Sequence, residues 1–326
     1  MRLLVTGGAG YVGSITVEAL LAIGHDVVVV DDLRTGHREA VPDGARLVEG
    51  DIADEPFVRG VIREHRVEAI LHFAAASLVG ASMHDPHRYF ESNTVASLAL
   101  LRAAHAQRVE RVVFSSTAAL YGTPASVPIR EDAPLAPESV YGETKLQIER
   151  TMGWLARTTG LASVSLRYFN AAGASAERGE DHRPESHLIP IVLQVALGQR
   201  DVVQVFGDDY DTRDGTAVRD YVHVLDLAAA HVLALAALEP GKAKAYNLGS
   251  GAGASVAEVL DAARAVTGHA IPAHVMPRRA GDPPTLVADA SAARDDLGWK
   301  PERASLTEIV ESAWGWHGRR PRGYDT

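Results

Sequence analysis

Residues 141–145 read YGETK, with Tyr141 and Lys145 four positions apart. On a helix, positions i and i+4 share a face, with Cβ atoms about 5–6 Å apart. A free phenol titrates near 10, so a tyrosine acting as a base at neutral pH needs a shift of about 3 units, or roughly 4 kcal/mol. A lysine charge about 5 Å away supplies around 3 kcal/mol at an effective dielectric of about 20. One turn of helix would thus tune a phenol, with a cationic ligand ring supplying the remainder. The plain alternative is surface decoration. Upstream, FSSTAALYG brings Ser115, Ser116 and Thr117 to the end of an apolar run. A hydroxyl there can bond a substrate oxygen, or simply cap a turn.

The second constellation is at the start of the chain. Thr6 to Gly13 reads TGGAGYVG, after a strand-like run and before a helix-like one. An acidic strand end, VVVVDDL, comes about 20 residues later, as a dinucleotide site requires. Gly7 would permit the tight turn and Gly10 the approach of a pyrophosphate to the helix N-terminus. Gly13 would let helix and strand pack closely. Asp31 is placed to accept from an adenosine ribose, and its charge repels a 2′-phosphate, so NAD is expected rather than NADP. Arg34 lies close enough to blunt that preference. Asp51, in EGDI, is a candidate for the adenine edge or an ordinary turn aspartate.

These groups need a scaffold, and the first half of the chain supplies one. RLLVTG, DVVVVDD, ARLVEGD, EAILHFAA, RVVFSST and ASVSLRYFN are β-branched runs stopped by Gly, Asp, Ser or Asn. Stretches with helical spacing alternate with them, which implies a parallel sheet covered on both faces. The expected fold is α/β: a doubly wound parallel (Rossmann) sheet with a smaller α/β C-terminal substrate domain. The division falls near residues 1–170 and 171–326, with segments free to cross back to the sheet.

Composition narrows the class. The chain has 326 residues, 46% hydrophobic and 23% charged, enough for a sizeable core. It has no cysteine, which excludes disulfides and thiolate chemistry. The net charge of −10 argues against a nucleic-acid binder. The start lacks the build of a signal peptide, and no apolar stretch approaches the roughly 20 residues that span a bilayer. A soluble, cytoplasmic protein without membrane or nucleic-acid partners is expected. HDPH and DHRPESH lack a flanking ligand pattern and read as loop residues, so no metal is expected.

Hydroxyl, tyrosine and lysine behind a glycine fingerprint resemble the short-chain dehydrogenase/reductase superfamily. SLRYFNAAGA, VFGDDYDTRDGTAVRDYVHV, AYNLGSG and MPRRAGDPPTLVADASAARDDLGWKP extend the likeness through the second half. They resemble its nucleotide-sugar branch, the UDP-galactose 4-epimerases. The resemblance implies an enzyme that interconverts UDP-galactose and UDP-glucose with NAD through a 4-keto sugar nucleotide. It implies NAD contacts at Gly7, Gly10, Tyr11, Val12, Asp31, Asp51, Ile52, Phe73, Ala74, Ala75, Asn93, Lys145 and Phe169. It implies chemistry at Thr117, Tyr141 and Lys145. The UDP moiety falls to Asn170, Leu188, Phe206, Arg219 and Arg279, with Asp282 near the uridine ribose. Planar guanidinium groups suit a diphosphate, and Phe206 offers uracil an apolar face.

Two positions depart from that pattern. Ser77 stands where some members carry a lysine near the cofactor phosphates. Leu286 stands at the sugar gate, between the bulky tyrosine that excludes N-acetylated sugars and the small residues that admit them. Related dehydratases and decarboxylating relatives carry an acid just before the YG; here Ala118 and Ala119 stand there, which favours plain epimerisation. The rivals are a 4-epimerase of UDP-N-acetylhexosamine or another UDP-sugar, and a non-catalytic NAD-binding sensor. Such sensors commonly lose the tyrosine and lysine that this chain keeps. The resemblance also implies a homodimer built from helices near residues 88–106 and 140–158.

Overall fold

The computed structural model describes residues 1–279 and 282–325. Seven parallel strands form the main sheet. From one edge to the other they are Ala243–Leu248, Ala162–Tyr168, Arg111–Thr117, Ala69–His72, Arg2–Thr6, Asp26–Asp31 and Arg46–Glu49. Strand side chains alternate between faces, and the sequence supplies apolar groups to both. Leu3, Val5, Val27 and Val29 pack against helices Tyr11–Ala22 and Val224–Ala236. Leu4, Val28 and Val30 join the layer formed with helices Glu55–His65, Ala96–Ala106 and Val140–Thr159. The chain therefore has the doubly wound α/β fold.

Strand order reverses where Arg2–Thr6 lies between Ala69–His72 and Asp26–Asp31. Both neighbouring connections leave in opposite directions there, which opens a crevice at the C-terminal ends of the strands.

The smaller domain packs helices Leu188–Ala196, Val256–Thr267 and Leu306–Arg319 around Ile189, Val192, Val259 and Ile309. Its strands are short: Val203–Phe206 pairs with Ala273–Met276, and Val218–Arg219 lies between Ala254–Ser255 and Thr285–Leu286. The chain crosses back to the main sheet through helix Val224–Ala236 and strand Ala243–Leu248. Among the described residues no helix is long and apolar enough to cross a membrane.

Candidate active site

The crevice is a cavity of about 610 Å³. Two glycines set its nucleotide end. Gly7 has φ 73°, and a Cβ there would lie 2.5 Å from the Ala74 nitrogen. A Cβ on Gly13 would lie 2.2 Å from the Gly7 carbonyl oxygen. Only glycine lets helix Tyr11–Ala22 start so close to the strand before it. Gly10 gives that helix no side-chain cap, and its first turn has no acid. Its N–H groups therefore present an uncompensated positive end to the cavity, as a pyrophosphate needs. Asp31 accepts from the N–H groups of Ala9 at 2.9 Å and Leu33 at 3.0 Å. Burial raises its pKa, and those two bonds oppose the rise. A carboxylate has about four acceptor sites, so capacity remains for a ribose diol. Arg34 does not blunt the negative charge there. It pairs with Asp32 at 3.0 Å and with Asp51, so its charge is met by two carboxylates and the Asp31 carboxylate is left over at the ribose corner. NAD fits this corner and a 2′-phosphate does not.

Gly7, Gly10, Tyr11, Val12, Asp31, Asp51, Ile52, Phe73, Ala74, Ala75 and Phe169 line this cavity, together with Thr117, Tyr141, Lys145 and Asn170. Ser77 lines it too. Asn93 does not. Its amide oxygen accepts from the Ala76 N–H at 2.8 Å, and its nitrogen donates to Ala76 O at 3.0 Å and Thr144 Oγ1 at 3.1 Å. Fully buried, it braces the Ala76 part of the cavity wall against the tyrosine helix.

That helix, Val140–Thr159, carries the reacting groups. Ser139 caps it by accepting from the Gly142 N–H at 3.1 Å. A Cβ on Gly142 would lie 2.5 Å from the Ala119 carbonyl oxygen, so this glycine lets the helix sit against the Thr117 loop. Lys145 Nζ donates to Ser115 O at 2.9 Å and lies 5.8 Å from the Tyr141 ring centre. Sequence reasoning expects the lysine to bring the phenol down. Burial wins instead: it pushes Tyr141 up to about 12, against a hydrogen bond with Thr117. The same burial brings Lys145 down to about 7, against the pull of Glu149. Scarce water penalises both charged forms at once. The pair therefore rests as a neutral phenol beside an amine that titrates near neutrality, and a further positive charge is needed to ionise the phenol.

A buried network locks this helix to the sheet. Arg167 holds Glu149 bidentately, at 2.6 Å and 3.0 Å, and donates to Tyr121 Oη at 2.9 Å. Tyr121 donates to Asn247 Oδ1 at 2.7 Å, and Ser116 donates to Glu149 at 2.5 Å. Glu149 lies four residues beyond Lys145, on the same face. That spacing was the available signal; its partner on another strand was not legible. Sequence reasoning also missed Tyr168, which lines the cavity and bonds Ser115.

Of the residues expected to hold UDP, Asn170 lines this cavity and Leu188, Phe206, Arg219, Arg279 and Asp282 lie outside its lining. Arg279 lies 3.9 Å over the Phe206 ring, so one face of that ring is taken by a guanidinium. Arg219 pairs with Asp282. Arg279 and Asp282 line a second cavity of about 400 Å³ with Tyr210, Arg278 and Pro283. Leu188 opens helix Leu188–Ala196 and packs into the small-domain core. Leu286 aligns with Arg219 in the neighbouring strand and packs in a cluster with Tyr121, Ile129 and Phe169. A segment that reads from sequence as plain loop also lines the first cavity, through Glu180, His182 and His187. It brings Glu180, His182, Glu185 and His187 together, with one ligand atom of each within 4.8 Å of the others. The expectation of no metal rested on the lack of a flanking ligand pattern around DHRPESH, and folding of the loop removes that ground.

A sequence model of the NAD dependent epimerase/dehydratase family matches residues 3–249. A UDP-glucose 4-epimerase of Lacticaseibacillus casei is 53% identical, over 99% of each chain. A solved UDP-glucose 4-epimerase superposes with a TM-score of 0.97 at 48% identity, covering 100% of both chains. A UDP-glucose-4-epimerase of Stenotrophomonas maltophila, solved with bound NAD and formylated UDP-arabinopyranose, gives a TM-score of 0.95 at 43% identity, covering 99% of both chains.

Proposed function

This chain belongs to the NAD dependent epimerase/dehydratase family, among the UDP-glucose 4-epimerases, and on that premise we propose that it interconverts UDP-galactose and UDP-glucose using NAD. The observation that carries the reading is the juxtaposition of Thr117, Tyr141 and Lys145 in the cavity whose other end has the uncapped helix and Asp31. Residues 1–170 would serve the cofactor and 171–326 the UDP-sugar, with the helix and strand that cross back belonging to the first.

Bound NAD would supply the acceptor and the donor of the hydride at sugar C4, so the reaction has no net redox change. Gly10, Tyr11 and Val12 would hold its pyrophosphate at the helix N-terminus, and Asp31 its adenosine ribose. Tyr141 takes the proton of the sugar 4-hydroxyl as C4 becomes a ketone, and gives it back when C4 is reduced on its other face. Thr117 shares the hydrogen bond to that oxygen. Lys145 would bond the nicotinamide ribose and, when charged, favour the phenolate. Arg219 and Arg279 would hold the diphosphate, while Asn170, Leu188, Phe206 and Asp282 place the uridine. This keeps UDP fixed while the keto sugar turns. Ala118 and Ala119 offer no acid or base for elimination.

Leu286 supports a second substrate class. Its side chain is smaller than a tyrosine and is tied into the Phe169 cluster, so it obstructs an N-acetylated hexose less than a tyrosine would. A homodimer through the helices around 88–106 and 140–158 is supported by Val95 and Trp154, which are 52% and 64% exposed there.

The test is incubation of the purified protein with UDP-galactose without added NAD, followed by assay of UDP-glucose. Turnover is expected, and Tyr141→Phe should lower kcat by about 10²–10⁴-fold, the usual weight of a general base. Full activity in Tyr141→Phe would sink the assignment. UDP-N-acetylgalactosamine in the same assay decides the second class.

A further inference from the structure

The segment from Gly173 to His187 lies against the cofactor cavity. It is pinned at one end, where Tyr11 Oη donates to Gly173 O at 2.6 Å. At its other end His187 precedes helix Leu188–Ala196. Glu180, His182 and His187 line the cavity itself.

Within this segment four metal-ligating groups converge. Glu180 Oε1 is 3.0 Å from His182 Nδ1 and 2.7 Å from His187 Nδ1, and Glu185 Oε1 is 2.9 Å from His187 Nδ1. The two carboxylate side chains are only 5% and 3% exposed. Among the described residues they have no lysine or arginine partner; their ion-pair partners are the two imidazoles. Burying two carboxylates is costly unless cations pair with them. A divalent cation with two carboxylates and two neutral imidazoles leaves a neutral cluster.

The donor set selects the metal class. Imidazole nitrogen and carboxylate oxygen without thiolate suit zinc and its first-row neighbours, at about 2.0–2.2 Å. Tetrahedral ligands at those lengths are about 3.3–3.5 Å apart. The observed 2.7–3.0 Å contacts need to open by roughly half an ångström, and the wider separations, up to 4.8 Å, need to close. Those are side-chain movements in one short loop.

We propose that Glu180, His182, Glu185 and His187 form a structural site for one divalent transition-metal ion, of the zinc class, that fastens the 173–187 segment over the cofactor cavity. The ion site stands on this geometry alone. Its effect on the cofactor rests on the NAD reading above. A cation holding four residues of the segment stiffens it where it meets Tyr11, whose ring lies 6.5 Å from that of His182 in an edge-on arrangement. Metal-loaded protein should therefore release NAD more slowly than chelator-treated protein.

The experiment uses untagged, full-length protein, stripped with a chelator and dialysed. Zn²⁺ is titrated in and quantified by elemental analysis. Co²⁺ serves as a spectroscopic probe, through its visible d–d absorption. One ion per chain at micromolar Zn²⁺ is expected, with a rise in Tm. His182→Gln and the double variant His182→Gln/His187→Gln should lose about 10–100-fold or more in affinity and the zinc-dependent Tm rise. Comparing Tm without metal identifies any variant that has merely failed to fold, and Glu185→Gln then replaces it. Failure to bind, or equal binding by wild type and variants, overturns the site. Stoichiometric binding with an unchanged NAD release rate keeps the ion site and overturns the fastening role. Epimerisation of UDP-galactose by the same preparation reads the functional assignment separately.

Discussion

Replacing Lys145 by methionine removes a charge while keeping an unbranched apolar stem. Its nitrogen lies 5.8 Å from the Tyr141 ring centre, and burial has pushed that phenol up to about 12. Lowering it to about 7 takes some 5 units, or roughly 7 kcal/mol at 1.36 kcal/mol per unit. A unit charge at that distance contributes about 3 kcal/mol at an effective dielectric of about 20; Lys145 itself is brought down to about 7, and a phenolate beside it favours its protonated form, so the charge is available near pH 7. Lysine therefore supplies less than half, and the positive nicotinamide ring must supply most of the rest. The sign is fixed: losing the cation disfavours the phenolate, so the phenol titrates higher in the variant. At 1.36 kcal/mol per tenfold, the loss is about 100-fold in kcat near pH 7. The rising limb of kcat against pH should move about 2 units to the alkaline side. The assay is UDP-galactose conversion from about pH 6 to pH 10 with NAD saturating, alongside the NAD content of the protein, so that weaker cofactor binding is counted separately. A kcat at pH 7 within threefold of wild type, or an unmoved limb at full NAD occupancy, would refute the electrostatic reasoning.

Three further outcomes follow from the packing around the site. Gly142→Ala places a Cβ 2.5 Å from the Ala119 carbonyl oxygen. The tyrosine helix must shift, with a cost of about 1–3 kcal/mol in urea unfolding and about 10–100-fold in kcat if Tyr141 moves by up to an ångström; unchanged kinetics would contradict this. Glu149→Gln leaves Arg167, whose side chain is 6% exposed, without its countercharge. A loss of about 3–5 kcal/mol is expected in the same measurement, and a loss below about 1 kcal/mol would count against the network as a clamp. His72, held between Thr6 and Ser97, is brought down to about 3 by burial. The unfolded chain protonates it below about 6.5, so its contribution is complete above that pH and declines as pH falls, by about 2 kcal/mol at pH 5. His72→Asn should flatten the loss of urea stability between about pH 7 and pH 5; an unchanged slope would remove His72 as the cause.

The sequence by itself determined the elements and the ends they present. The unbroken apolar runs in RLLVT and DVVVV put apolar side chains on both faces of the strand, which specifies a central parallel sheet covered on both sides. TGGAGYVG is legible because only glycine permits such close approach, and YGETK because four residues make about one turn. Both are local constraints, so spacing alone carries them. What the tertiary structure decided is which distant groups meet and how dry they are. Asn93 is fixed by two bonds to the backbone of Ala76, a partner that no local spacing announces. Glu149 and Arg167 meet only because helix Val140–Thr159 lies on strand Ala162–Tyr168. Glu180, His182, Glu185 and His187 have no regular spacing; a folded loop brings them together. The phenol and lysine at the centre were in register from sequence alone. Their resting protonation was not, because desolvation depends on everything packed around them, and spacing along one helix does not record that.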